Sequence, residues 1–212
     1  MRSPILIFCA TVLIACGHSK PKVAVDKEKQ EIIYYENIAI KNKNARAIFL
    51  KGLEKIQASN YSEAMEFFLK ANNLEKNNAV ILNAMGKTEA SLDHSAIAES
   101  YYRRALQSDS GYVHTYINYA LLLNKQKNYR AAEAQLRSIP PKQGLDSTIY
   151  ASWHFALAVS YFGQSRCAES MRQVEEAGNY VNREDLIREL RVFKQKVVNE
   201  CKTPQINSAY TQ

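Results

Sequence analysis

The chain has 212 residues, 46% of them hydrophobic, with only seven glycines and five prolines, a composition suited to one helical domain with a continuous core. Its formal charge of +7 is scattered among acidic residues and forms no basic stripe, which excludes nucleic acid as the expected partner. Mild attraction to anionic lipid, cell-wall polymer or an acidic protein remains compatible with this charge, beside the plainer reading of a solvated surface.

At the N-terminus Arg2 precedes the apolar or small run Ile5–Ala15. Eleven residues rise about 16 Å as a helix, too short for an apolar bilayer core of about 30 Å. Residues 1–15 therefore read as a secretory signal, removed from the mature protein. The tetrad Leu13-Ile14-Ala15-Cys16 resembles a bacterial lipobox. That resemblance implies that Cys16 is lipid-modified and becomes the first mature residue. Gly17 rather than aspartate follows it, which under the usual lipoprotein sorting rule implies the outer membrane, facing the periplasm. Residues 16–31 are rich in lysine and acids and read as a flexible tether. Ile32, Ile33, Tyr35, Ile38 and Ile40 leave open an extra packing helix over 32–44.

From Ala45 onward the chain matches itself at a period of 34 residues. Gly52, Gly86 and Ala120 form one row; Ala64, Ala98 and Ala132 a second; Phe68, Tyr102 and Leu136 a third; Ala71, Ala105 and Ile139 a fourth. Such a period predicts stacked helix–turn–helix units. Small residues fall where two helices approach closely, and the large apolar row fills the gap that one unit alone leaves open. With Gly52, Tyr61, Ala64, Phe68 and Ala71 in the first unit, and Tyr116, Tyr119, Ala120, Leu123, Tyr129 and Ala132 in the third, the chain resembles the tetratricopeptide repeat (TPR) family. The resemblance implies an all-α fold, a right-handed superhelix of antiparallel hairpins, with repeats at about 45–78, 79–112, 113–146 and 151–180. Pro140, Pro141 and Gly144 break the helix before the fourth unit, where four extra residues form a loop.

The fourth unit places Ala158, Tyr161, Val174 and Ala177 at signature positions, with Ser170 for the small alanine and Cys167 for the aromatic. Leu186, Leu190, Phe193 and Val197 then recur at helical spacing, which predicts a capping helix within 181–202. Residues 203–212 read as a polar tail. Cys167 and Cys201 also stand 34 apart. Equivalent positions of stacked repeats lie about 10 Å apart, beyond the roughly 7 Å ceiling for bridged Cα atoms. A disulfide therefore needs the last helix to depart from regular stacking, and the sequence leaves both the bridge and two packed thiols open.

No catalytic constellation appears, which points away from an enzyme. His18, His94, His114 and His154 lack partners at metal-ligand spacing, and there is no phosphate loop or nucleophile elbow. No cofactor, metal or small-molecule substrate is expected. The TPR resemblance instead implies a groove lined by the second, fifth, ninth, twelfth and thirteenth positions of each first helix. Those positions include Arg46, Phe49, Leu53, Asn83, Lys87, His114, Ile117, Leu121, Asn124, Lys125, Phe155, Val159 and Phe162. Apolar ends around a polar, basic middle suit a protein segment with apolar anchors, Phe49, Leu53, Phe155 and Phe162 among them.

The stretch Tyr116-Ile117-Asn118-Tyr119-Ala120-Leu121-Leu122-Leu123, with Gln126 and Asn128-Tyr129, together with the lipobox, resembles the pilotin-type lipoproteins of type IV pilus biogenesis and stability. That resemblance implies binding of an outer-membrane secretin subunit and help in its assembly. An adaptor for cell-wall hydrolases or proteases, or a lipoprotein of a tight-adherence pilus or secretion system, needs the same anchor and groove.

Overall fold

The computed structural model describes residues 39–139, 146–181 and 184–202. The expected signal, Cys16, the expected tether, most of the 32–44 span left open for a packing helix, the Pro140-Pro141 break and the expected C-terminal tail lie outside them. Among the described residues nine helices run in order: α1 Lys43–Gln57, α2 Tyr61–Leu74, α3 Ala79–Ser91, α4 Ser95–Ser108, α5 Val113–Lys125, α6 Tyr129–Arg137, α7 Ser147–Gly163, α8 Cys167–Tyr180 and α9 Glu184–Lys202. They pair into four antiparallel hairpins, α1/α2 to α7/α8, with α9 packed on the last. The fold is all-α, a solenoid of stacked hairpins.

The four hairpin turns share one geometry. Ser59, Asp93, Lys127 and Ser165 sit at φ of 59°, 63°, 61° and 60°. Each donates its N–H to the carbonyl three residues back, and the next residue donates to the carbonyl five back, as in Asn60 N→Lys55 O and Arg166 N→Tyr161 O, both at 2.9 Å. This pair of hydrogen bonds closes the last turn of a helix around a left-handed residue. Helix starts are satisfied locally: Asn42, Asn78 and Asp146 accept backbone N–H groups of α1, α3 and α7 through their side chains. The Asp146 cap starts α7 four residues ahead of Ala151, where the repeat register alone places the unit. α6 is the short helix, with 9 residues against 14 in α2 and α4.

The rows of the sequence form the core. Ala64, Phe68, Ala71, Ala98, Ala105, Ala120, Ala132 and Leu136 are wholly buried, and Tyr102 is 1% exposed. Within each hairpin the eighth and twenty-fourth positions face each other, and their sizes compensate. Gly52 meets the Phe68 ring and Gly86 the Tyr102 ring, whereas Ala120 accompanies Leu136 and Ala158 accompanies Val174. Ser170, in an alanine's place, is fully buried and donates its hydroxyl to Ala158 O at 2.8 Å.

At the C-terminal end Leu190 and Val197 of α9 are buried, Leu190 with Ala158, Val174 and Ala177. Cys167 and Cys201 form a disulfide with Cα atoms 5.9 Å apart, so the end of α9 lies closer to the start of α8 than one repeat translation allows. Between the third and fourth hairpins Glu133 accepts from Arg137, Arg166 and Gln164, and Arg137 also donates to the Tyr161 hydroxyl. Burial alone would raise the Glu133 carboxyl. These hydrogen bonds and the Arg166 charge outweigh it and hold the pKa below the usual value.

Candidate protein-binding groove

The first helices of the hairpins lie side by side, and the inner face they make is held by polar pins. Asn118 Nδ2 donates to Asn83 Oδ1 at 3.0 Å, joining α5 to α3. Asn124 Nδ2 donates to Ala156 O at 3.0 Å and its Oδ1 accepts from Ser160 Oγ at 3.0 Å, joining α5 to α7. Asn83 is 7% exposed and Asn124 6%. The repeat register assigns both to the partner-facing groove, and both instead commit their amides between repeats. Asn118, which the register leaves out of the groove, completes the first pin; its proximity to Asn83 follows only from the packing of α5 on α3.

The expected aromatic anchors are also engaged. Phe49 is 1% exposed, its ring 5.2 Å from that of Phe68, and Ile117 is buried in the central core. Phe155 and Phe162 both meet the Phe193 ring edge-on, at 5.5 and 5.6 Å, and Lys196 of α9 lies 5.2 Å over Phe162. The capping helix therefore covers the apolar C-terminal end of the face. It leaves an open dent of about 360 Å³ lined by Phe155, Arg188, Glu189, Val192, Phe193 and Lys196. Arg46 turns its guanidinium to the Ile40 carbonyl, at 3.0 and 2.6 Å from Nε and Nη2.

What the structure leaves at the surface is the row of ninth positions. Leu53 and Val159 are half-buried, and Lys87 and Leu121 are exposed, Leu121 by 38%. Half-buried His114 lies with its ring 5.2 Å from Tyr112, and exposed Lys125 pairs with Asp93 of the preceding hairpin turn. The Lys125 hydrogen bond and charge lower the Asp93 pKa. The face therefore presents single apolar and cationic side chains in a line. Among those residues no group of three or more His, Cys, Asp or Glu is placed to hold a metal ion, and no helix is long and apolar enough to cross a membrane.

Stacked hairpins presenting an inner face define the class, a tetratricopeptide-repeat solenoid, a fold of protein-interaction scaffolds. A tetratricopeptide repeat family model matches residues 45–78, the first hairpin with its linker. PilF of Pseudomonas aeruginosa superposes with a TM-score of 0.61 at 19% identity, covering 76% of this chain and 78% of that one. A thermophilic TPR protein of Thermus thermophilus gives 0.61 at 15% identity over 82% and 92%. YrrB, a TPR protein described as having an unusual peptide-binding site, gives 0.52 at 15% identity over 78% and 84%. At these identities the likeness is one of fold. No curated protein sequence matches the chain.

Proposed function

We propose that the chain is a non-enzymatic lipoprotein, anchored through Cys16 to the outer membrane and facing the periplasm, that grips a protein partner along its inner face. The observation that carries this reading is the ninth-position row Leu53, Lys87 and Leu121, which runs across the first three hairpins. Hairpins repeat at about 10 Å, and a segment in the polyproline-II conformation advances about 3.1 Å per residue with three residues per turn. Side chains three residues apart on such a segment then meet successive hairpins. Apolar, acidic and apolar side chains in that order complement the row, and the segment's backbone lies against Lys125 and His114.

Within this class the partner we favour is a secretin subunit of a type IV pilus, whose assembly the protein assists. The lipobox tetrad, the residues around Asn118-Tyr119 and the PilF-like fold support that choice. Lys87→Glu combined with Leu121→Asp changes two exposed side chains and leaves the core intact. Introduced into the native envelope, the pair is expected to reduce heat-resistant secretin multimers and surface pili, as is deletion of the gene. Normal multimers and pili in the deletion strain would defeat the secretin reading and favour an envelope adaptor. Cys16→Ala is expected to abolish partition into the detergent phase, and a variant that fractionates like its parent removes the anchor.

A further inference from the structure

The chain enters the solenoid at a fixed point. Ala39 O accepts from Asn78 Nδ2 at 2.7 Å, Asn42 N donates to Glu75 Oε2 at 2.7 Å, and Ile40 is wholly buried. With Arg46 bonded to the Ile40 carbonyl, the backbone has no slack there. The described chain therefore begins beside the end of α2 and the start of α3.

Around this entry point the surface is basic and tipped with apolar side chains. Lys41, Lys43, Lys70, Lys76 and Arg104 are exposed on or beside the first two hairpins. Leu69, Leu74 and Ile97 are exposed by 43%, 46% and 49%, large values for apolar residues on a folded surface. The face also carries a repeated device. Lys70 lies over the Phe67 ring and Arg104 over the Tyr101 ring, each 5.6 Å from the centroid and one 34-residue period apart. The third hairpin has Gln135 and Ser138 at these places, and the fourth Gln173 and Glu176. The device is thus confined to the hairpins beside the entry point.

The nearby acids are mostly engaged. Glu63 pairs with Lys55, Glu99 with Arg103 and the Tyr119 hydroxyl, and Glu75 with Asn42 and Asn78. Asp109 accepts from Gly111 N, and Glu66 stands exposed between the cations.

We infer that this face of α2 and α4 rests on an anionic lipid surface, so that the anchored protein lies against the membrane with its groove held in a fixed orientation. The inference rests on the reading of Cys16 as the anchor. The 23 residues from Cys16 to Ala39 span at most about 80 Å, so an anchored chain holds this point within that distance of the bilayer and weak contacts act at a raised effective concentration. Cations laid over aromatic rings, with leucine beside them, match an interface in which headgroups are negative and the first apolar layer lies just beneath.

The test uses the mature chain from Gly17, without the acylated cysteine, in co-sedimentation with phosphatidylglycerol–phosphatidylcholine vesicles and with pure phosphatidylcholine vesicles. Binding to the mixed vesicles that is lost at high salt is expected. Lys70→Glu with Arg104→Glu is expected to cut partitioning ten-fold or more, since each surface cation contributes a factor of roughly five. Leu74→Asp is expected to cut it several-fold. Lys127→Glu with Arg130→Glu, far from the entry point, carries the same charge change and is expected to cut it less than half as much on the logarithmic scale. Circular dichroism confirms that each variant folds. Equal binding to both vesicle types, or an equal loss with the distant pair, would overturn the inference. Neither outcome bears on secretin assembly, which is read separately in the envelope.

Discussion

Gly86→Ala tests the size compensation inside the hairpins. A Cβ on Gly86 would lie 2.7 and 2.8 Å from Cε1 and Cδ1 of Tyr102 and 3.2 Å from the Ala98 carbonyl oxygen. Ordinary contact begins near 3.5 Å, so the ring must retreat by about 0.7 Å. It has little room, because Tyr102 is 1% exposed and its ring centroid lies 5.9 Å from that of Tyr119. Overpacking of this kind costs about 1–3 kcal/mol, and the better helix propensity of alanine offsets about 1 kcal/mol, leaving a net loss of about 1 kcal/mol. Tyr102→Leu alone costs about 2 kcal/mol through lost contact. Together the two changes recreate the Ala120 and Leu136 pair of the third hairpin, so the double variant should be at least about 1 kcal/mol more stable than the sum of the singles. Urea unfolding followed by far-ultraviolet circular dichroism measures this, with equal slopes required for comparison. An additive double variant, or a Gly86→Ala protein more stable than its parent, would refute the packing argument.

Lys127 holds a left-handed turn without a glycine, so Lys127→Gly should raise stability by about 0.5–1 kcal/mol in the same urea assay, and a loss would mean that its side chain matters more than its φ of 61°. Burial pushes the Tyr102 phenol above its ordinary value of 10. The unfolded chain therefore loses this proton first, and the stability it provides is complete below pH about 10 and declines as pH rises beyond it. Tyr102→Phe should flatten that alkaline decline by up to about 1.4 kcal/mol per pH unit, and an identical slope would argue against a buried neutral phenol. Cys167→Ser with Cys201→Ser opens a loop of 34 residues and should cost about 2–4 kcal/mol. Hydrogen exchange should speed up first in α9, and unchanged exchange there would show that Leu190 and Val197 suffice to hold it.

The repeat rows were legible because a period of 34 records a demand that every hairpin makes in the same way. Gly52, Ala64, Phe68 and Ala71 meet it within one unit, and no distant part of the chain alters the answer. The hairpin turns obey the same period, yet Ser59, Asp93, Lys127 and Ser165 share a backbone conformation and no side-chain chemistry, so residue types do not announce it. The groove was less legible. Register assigns a side chain to a face but not to a partner, and Phe155 and Phe162 reach the inner face only to be covered by Phe193 from a helix outside the repeat pattern. Asn83 and Asn124 read as polar groove residues because their acceptors and donors, Asn118, Ser160 and the Ala156 carbonyl, lie about one repeat away in sequence. The disulfide depended on how far α9 departs from regular stacking, a distance that the spacing of Cys167 and Cys201 does not contain.

These differences separate two kinds of position in the solenoid. Positions eight and twenty-four meet inside one hairpin, so a change in one is answered by the other, as the Gly–aromatic and Ala–aliphatic pairs show. Positions five and twelve of the later hairpins meet whatever stacks next to them, and their identity follows it: Asn118 for Asn83, Ser160 and the Ala156 carbonyl for Asn124, Phe193 for Phe155. Position nine keeps more of its surface in solvent. Packing therefore constrains the exposed Lys87 and Leu121 least, and on the proposed reading their choice of residue is where selection for a partner can act. On that reading a binding scan confined to these positions addresses recognition, whereas one that includes Phe49 or Asn124 measures the solenoid itself.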